Sequence, residues 1–465
     1  MTRRTSTLVM IALGAFVTTL DNTIVAAGAP SIARDLALDL GTLQWVALGY
    51  MLPFAGLLLV AGTLIDRWGR RATLLGGLAA FGAGAAAGGF AETAWLLVAA
   101  RVVQGMAAAF LVPGLLSMLR TNLDARGRTL GAAIWTACLA AALALGPAVG
   151  GILCASLGWS WIFFVNLPFV AAMLVLLPAT TSRGRDPGGP RPATAPMVVV
   201  TASLVLLTAA LVEPRAATTS PLLAAGIALG GAFLLRERHA RTRLVPPELT
   251  KNRVFAGSLV VQLLWGLGVS GVFFFTPLLH QEFLGLGPVG AALPLVLVAV
   301  AVAAATPLVP RAVAAWGPHR TVGAGLAVVA AGLFALAAVN HVPAILPRTP
   351  GLVLIGAGSA FTVPLTSHAL DVVAERHSGT ASGLLTASRE LSSALGVALI
   401  GAVLTAVRSM RLDAGAPAGT ALAGGYTAGL LAAAGLTLGG ALLAVRVLRA
   451  PPSETSSPRD KRAVP

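Results

Sequence analysis

Two residues of opposite charge stand inside long apolar runs, where an ionisable side chain is costly. Asp21 lies in "FVTTLDNTIVAAGAP" and Arg101 lies in "LLVAARVVQGM". Ionisable residues within a membrane span usually mark proton or ion pathways. Asp21 has two possible roles: it either forms a permanent ion pair that ties two helices together, or it binds and releases a proton as its surroundings change. Gln104 follows Arg101 by three residues and is a candidate hydrogen-bonding neighbour.

A second charged pair, Arg389 and Glu390, lies in the apolar run "TASRELSSALG". Neighbouring residues on a helix diverge by about 100°, so only one of the two can face a given cavity. Glu390 is therefore either a second titratable site or the local counter-ion of Arg389. Asp371 lies shortly before this run and is a candidate partner for a gate.

These charges belong to a chain whose composition is that of a membrane protein. Of the 465 residues, 57% are hydrophobic and only 11% are charged, whereas soluble domains carry about 25% charged residues. A span needs roughly 20 apolar residues. Fourteen windows qualify, at residues 8–28, 42–63, 72–90, 94–118, 130–155, 159–180, 196–213, 217–235, 254–279, 288–310, 319–340, 350–370, 383–407 and 424–445. The seventh and eighth are short, and twelve spans would remain without them.

The distribution of basic residues predicts how the chain is oriented. Most of the 32 Lys and Arg residues fall in alternate connecting segments, and the positive-inside rule places those segments and both termini in the cytoplasm. The net charge of +15 is therefore a topology signal rather than evidence of nucleic-acid binding. The predicted location is the inner membrane.

Depth along the helices allows Asp21 and Arg101 to meet. Asp21 lies about 20 Å from the inner surface, and Arg101 lies about 10 Å below the outer surface. In a hydrocarbon core about 30 Å thick, both residues fall in the outer half.

A short internal repeat indicates a duplicated transporter. The segment "DRWGRRATLLGG" (66–77) follows the second window, and "AAWGPHRTVGAG" (314–325) follows the tenth. Transporters built from two related halves bind substrate between those halves. The predicted organisation is an all-α bundle with a six-helix half at 1–180, a linker and inserted helix pair at 181–253, a second six-helix half at 254–449 and a tail at 450–465.

Four motifs in order resemble the major facilitator superfamily, in particular its fourteen-span drug:proton antiporter branch. They are "LDNTIVAAGAPSI", "GTLIDRWGRR", "RVVQGMAAA" and "LGPAVGGIL". The resemblance implies alternating access and proton-coupled export of amphipathic or hydrophobic small molecules, as in antibiotic or multidrug efflux. It assigns proton coupling to Asp21 and Arg101.

Two further groups of residues follow from the motifs. The loop motif implies a cytoplasmic gate of Asp66 and Arg70, with Gly62 and Gly69 in the same motif and Asp124 as a candidate partner; its arginines could instead be orientation charges only. In the fifth window, small residues every four positions favour close helix packing. The resemblance makes that stretch an antiporter seam, formed by Gly146, Pro147, Gly150 and Gly151.

Other functions lack the residues they would need. Lysine occurs only at Lys251 and Lys461, so no phosphate-binding Gly-x-x-x-x-Gly-Lys-Ser/Thr loop exists. No cofactor, metal site or enzymatic activity is expected. The expected partners are a drug-like substrate, protons and the lipid bilayer, with the chain acting as a monomer. A proton-coupled uptake symporter is the alternative function, and sodium coupling also remains open.

Overall fold

The computed structural model describes residues 2–181, 194–212, 216–240, 245–374 and 377–449, and all regular structure in this part is helical. The first seven helices are α1 (Arg3–Asp35), α2 (Leu40–Trp68), α3 (Arg70–Gly89), α4 (Ala94–Asn122), α5 (Ala125–Ser156), α6 (Trp161–Phe164) and α7 (Asn166–Thr180). Next come α8 (Thr194–Val212), α9 (Ala216–His239) and α10 (Pro247–Lys251). The last seven are α11 (Arg253–Glu282), α12 (Pro288–Ala305), α13 (Val309–Val339), α14 (Thr349–Ala360), α15 (Pro364–Asp371), α16 (Ser378–Asp413) and α17 (Ala418–Val447).

Polar side chains cap the first turns of several helices and fix the residue at which each helix begins. Asp39 caps α2 through a 2.7 Å bond from the Thr42 amide, and Thr93 caps α4 through a 3.3 Å bond from the Leu96 amide. Asn252 accepts from two amides at the start of α11. Such caps satisfy amide groups that have no partner within the helix.

In the described part of the chain, twelve helical segments are long and apolar enough to cross a membrane, rather than the fourteen windows predicted. The tenth and eleventh windows run together as one segment, Pro288–Val339, which is 52 residues long. The seventh window survives only as a shorter apolar helix, Val198–Val212. The structure thus supports a polytopic membrane protein, and the fourteen-span count stays a proposal.

The two copies of the repeat share an unusual backbone conformation. Gly69, between α2 and α3, has φ 85° and ψ 138°, and Gly317, within α13, has φ 76° and ψ 163°. A side chain is strained at such positive φ values, so glycine is the residue that fits. Each glycine follows a tryptophan, and Gly317 interrupts the helical geometry of the 52-residue segment at that point.

Helix α1 begins at one end of the bundle, and helix α17 ends there. We term this end the terminal side and the opposite end the far side. At the far side, Arg34 near the end of α1 donates to Gln281 Oε1 near the end of α11 at 2.8 Å. At the terminal side, the start of α11 meets the end of α17, where a side chain at Gly257 would clash with Val447. The helices α1 and α11 therefore run in the same direction.

The helices α8 and α9 lie beside the junction of the two predicted halves. Ser203 of α8 donates to the Gly226 carbonyl of α9 at 2.7 Å. On its other side, α8 packs on Gly56 of α2, where a Cβ atom would lie 3.0 Å from Thr201 Cβ. The same helix also contacts α16. The inserted pair thus touches both α2 and α16, while the linker before it is outside the described residues.

Candidate functional site

The structure brings Asp21 and Arg101 together in the interior of the bundle, where both side chains are fully buried. Arg101 donates from one terminal nitrogen to Asp21 Oδ2 at 2.5 Å. Asp21 Oδ1 accepts two further bonds, at 3.0 Å from Gln104 Nε2 and at 2.8 Å from Asn166 Nδ2. Three donors, from two residues of α4 and one of α7, therefore surround a single carboxylate on α1.

Arg101 is held by helix α2 as well as by Asp21. Its Nε donates to the Val46 carbonyl at 3.1 Å, and a terminal nitrogen donates to Gln104 Oε1 at 3.0 Å. The guanidinium carbon lies 4.5 Å from the centre of the Tyr50 ring, which is a cation–π distance. A glycine allows this approach of α4 to α2: a Cβ atom on Gly105 would lie 2.8 Å from the Tyr50 carbonyl carbon.

The charge of Asp21 balances that of Arg101 within the buried cluster. In a low-dielectric interior, an ion pair is tolerated only when its charges are paired and hydrogen-bonded. If Asp21 gained a proton, Arg101 would keep a buried charge with no counter-charge, and one of the three donors would lose its acceptor. The second terminal nitrogen of Arg101 already lacks a hydrogen-bond partner. The buried charge of Arg101 therefore depends on Asp21 as its counter-charge.

Two members of this cluster, Tyr50 and Asn166, are not predicted from the sequence. Tyr50 looks like an ordinary aromatic residue of an apolar run, and Asn166 lies in "WSWIFFVNLP" at the start of α7. The amide of Asn166 is fully buried, and its Oδ1 has no hydrogen-bond partner. A lone polar residue in an apolar window is the only signal for Asn166, and Tyr50 has none.

The predicted gate residues are only partly described. Gly69 makes the turn between α2 and α3, and Arg70 donates to Thr121 Oγ1 at 2.6 Å. Asp124 caps α5, where its Oδ1 accepts from the Gly127 amide at 2.9 Å. The side chain of Asp66 and the surroundings of Gly62 are outside the described part of the structure. The gate stays a prediction, with a capping role now established for Asp124.

The predicted seam residues lie where α5 meets α1 and α12. A side chain on Gly146 would clash with Thr23, and a Cβ atom on Gly150 would lie 2.9 Å from Ala27 Cβ. Gly151 instead approaches the second half, where a Cβ atom would lie 2.9 Å from the Pro288 carbonyl oxygen and 3.0 Å from Val289 Cα. Pro147 is buried within the helix between these contacts.

The polar residues of the second half do not form one cluster. Arg389 donates to Glu390 Oε1 at 3.1 Å, with the arginine side chain 48% exposed and the glutamate 10% exposed. Asp371 is exposed at the end of α15, and no contact joins it to Arg389 among the described residues. No group of His, Cys, Asp or Glu side chains that could hold a metal exists in the described ranges.

Arg348 lies in a site that the sequence does not predict. By sequence, this arginine belongs to the connecting segment between the windows 319–340 and 350–370, where a charged residue is expected to be exposed. Its side chain is fully buried. It donates to Asn340 Oδ1 at 2.6 Å and to the backbone carbonyls of Asn340, Val342 and Ala344. Hydropathy alone cannot distinguish this buried arginine from a surface charge, because its partners are mostly backbone atoms.

A comparison with family models identifies the family, and relatives with known names are similar over most of the chain. The family described as "Major Facilitator Superfamily" matches residues 11–397. A multidrug efflux pump of Mycolicibacterium smegmatis, LfrA, is 33% identical over 90% of this chain and 84% of its own length. A puromycin resistance protein of Streptomyces alboniger is 31% identical over 95% of this chain and 91% of its own. A tetracenomycin C resistance and export protein of Streptomyces glaucescens is 28% identical over 86% and 75%.

Solved structures share the fold at lower identity. A peptide transporter in complex with sulfate superimposes with a TM-score of 0.71 at 14% identity, over 96% of this chain and 94% of its own. A bacterial homologue of the human lysosomal transporter Spinster gives a TM-score of 0.69 at 16% identity, over 96% and 97%.

Proposed function

Because the chain belongs to the major facilitator superfamily, we propose that it exports drug-like amphipathic or hydrophobic molecules in exchange for protons. The observation that carries the proton-coupling part is the fully buried carboxylate of Asp21, which Arg101, Gln104 and Asn166 surround. The export part rests on the relatives, which are a multidrug efflux pump and antibiotic resistance or export proteins. The shared fold alone gives no direction of transport, since a D-xylose–proton symporter also has it.

In this proposal, the substrate path lies between α1–α7 and α11–α17, and the protein works as a monomer. Contacts between these two groups are found at the far side, where Arg34 meets Gln281 and Gly151 meets Pro288. Towards the terminal side, most residues of α5 between 128 and 141 are exposed or half-buried. Tilting the halves about the far-side contacts would alternate access, and the predicted gate near Arg70 would lock one of the two states.

Fourteen crossings form part of the proposal. A segment of 52 residues would be about 78 Å long as one helix, more than twice the thickness of the hydrocarbon core. The break at Gly317 divides it into two spans. The helix α8, joined to α9 by the bond from Ser203 to Gly226, would supply the other additional span, since α9 is already among the twelve. An even number of crossings keeps both termini on one side of the membrane. The distribution of basic residues favours the cytoplasmic side, and the proposed location is the inner membrane.

Transport in proteoliposomes tests the function. Vesicles containing the purified chain and a pH-sensitive dye would receive puromycin, tetracenomycin C or methylenomycin A under an imposed pH gradient. We expect at least one compound to move against its gradient while protons cross the membrane in the opposite direction. Protons moving in the same direction as the drug would instead indicate a symporter.

A cellular assay gives the direction independently. Expression in a host without its own efflux pumps should raise the inhibitory concentration of an exported drug, and an uncoupler should abolish that protection. Increased sensitivity on expression would contradict export.

A further inference from the structure

We propose that the outer face of α3 and α4 binds an anionic phospholipid, with its headgroup at Arg67 and Arg71. A groove of about 390 Å³ runs along this face. Its lining consists of Trp68, Ala72, Thr73, Gly76, Gly77 and Ala80 on one side and Val103, Met106, Ala107 and Phe110 on the other.

The shape and chemistry of the groove suit an acyl chain. Apart from the Thr73 hydroxyl and the Trp68 indole, the lining side chains are entirely apolar, and the Thr73 hydroxyl already donates to the Gly69 carbonyl at 3.0 Å. Gly76 leaves open space, since nothing lies within 4 Å of a Cβ atom built there. Along α3, the groove reaches about 12 Å from Ala72 to Ala80, which is somewhat less than half the thickness of the hydrocarbon core.

The groove is separate from the Asp21 cluster. On α4, Met106 and Phe110 lie on the helix face opposite Arg101, because five and nine residues correspond to rotations of about 140° and 180°. Met106 is 43% exposed on the outside of the bundle, whereas Arg101 is fully buried. A ligand in this groove therefore comes from the bilayer and does not enter the central path.

Charge complementarity selects the headgroup. Arg67 and Arg71 directly flank two of the lining residues, Trp68 and Ala72, at the terminal end of the groove. Within the described ranges, no hydrogen bond or ion pair involves either of these two guanidinium groups. Gly69 provides no side chain to cap the first amides of α3, which adds partial positive charge at the same place. Basic pockets beside spans bind anionic lipid headgroups, so a phosphate fits where these two arginines meet an apolar groove.

Native mass spectrometry of the full-length chain tests the site. The delipidated protein would be incubated with an equal mixture of phosphatidylglycerol and phosphatidylcholine that carry the same acyl chains. We expect the wild type to retain phosphatidylglycerol preferentially. The double variant Arg67→Gln/Arg71→Gln should lose about 30-fold in phosphatidylglycerol affinity, at roughly fivefold for each arginine near the surface. Arg311→Gln, which removes an exposed arginine elsewhere on the terminal side, is the matched control and should retain the preference.

Blocking the groove should have a different signature. Gly76→Leu should reduce the binding of both lipids and keep the ratio between them. The control Gly435→Leu places the same side chain in open space on α17 and should change neither lipid. A wild type that binds both lipids equally, or a preference that survives in the Arg67/Arg71 double variant, would overturn the proposal.

Photocrosslinking of the wild type tests the site without relying on the folding of any variant. Phosphatidylglycerol with a photoreactive group on its acyl chain should form adducts within residues 70–80 and 103–110. Adducts confined to other helices would also overturn the proposal.

Discussion

Replacing Asp21 by Asn separates the two roles that remain open for this residue. The carboxylate accepts on both oxygens, with Arg101 at Oδ2 and with Gln104 and Asn166 at Oδ1. An amide has one oxygen, so its NH₂ group must face at least one of these donors. Arg101 would then keep a buried charge without a counter-charge. Breaking a buried pair in this way costs about 3–5 kcal/mol, which should appear as a clear loss of thermal stability.

The second substitution, Arg101→Gln, removes the unpaired buried charge without restoring a titratable group at position 21. In Asp21→Asn/Arg101→Gln, the oxygen of the introduced glutamine can accept from the NH₂ group of the introduced asparagine. The asparagine oxygen still accepts from Gln104 and Asn166. We expect the double variant to recover most of the lost stability, since no buried charge is left unpaired. A double-mutant cycle of unfolding in detergent gives the interaction energy of the pair.

The same variants, reconstituted with a dye that reports internal pH, decide the function of Asp21. If the carboxylate carries the proton, the double variant is stable but neither releases protons nor moves drug against its gradient. Asp21→Glu is the control, because it keeps a titratable group at the site. If the stable double variant exchanged protons for drug at the wild-type ratio, Asp21 would be only a structural ion pair, and the proposed coupling would be wrong.

Three further predictions concern other parts of the molecule. Gly146→Val should destabilise the protein by about 1–3 kcal/mol, because the new side chain meets Thr23; Gly439→Val on α17, where a Cβ atom meets nothing, is the control, and equal thermal stability of both variants would contradict the packing argument. Glu390→Gln should change stability by less than about 1 kcal/mol and leave proton release unchanged, because Arg389 is 48% exposed and water can solvate its charge; proton release that fell with this variant would make Glu390 a second titratable site. Asn340→Ala should cost about 1.5–3 kcal/mol in thermal unfolding, because Arg348 loses the side-chain acceptor at 2.6 Å; a change no larger than that of Thr427→Ala, which removes only a weaker neighbour of Asn340 at 3.0 Å, would show that backbone carbonyls alone hold the arginine.

Depth along a helix can be predicted from the sequence, but rotation about its axis cannot. The rise per residue and the thickness of the bilayer are constants, so the sequence alone places Asp21 and Arg101 at one level. Tyr50 and Asn166 reach the same cluster only because α2 and α7 are turned so that these side chains face inward. That rotation depends on the packing of whole helices, which no local pattern encodes.

Local interactions give a candidate residue a role that the motif does not predict. Asp124 is a candidate partner for Arg70 by sequence, and in the structure its Oδ1 caps α5, because amides three residues away in the chain are always within reach. Its pairing with Arg70 stays a prediction. The tryptophan–glycine turn predicted between the tenth and eleventh windows is present at Gly317, whose backbone leaves helical geometry as Gly69 does between α2 and α3. Helical residues continue directly on both sides of Gly317, so the two windows fall in one uninterrupted segment.

The contact of Gly151 with Pro288 and Val289 has a consequence for how transport can evolve. Here the two halves meet through main-chain atoms rather than through side chains. A side-chain contact loosens or tightens as rotamers change, but a main-chain contact has no rotamers, so in the proposed tilting of the halves it would act as a fulcrum at a fixed position. Substitutions that change what the transporter accepts are then expected among residues that line the space opened by the tilt. A substitution at Gly151 would move the fulcrum for every substrate at once.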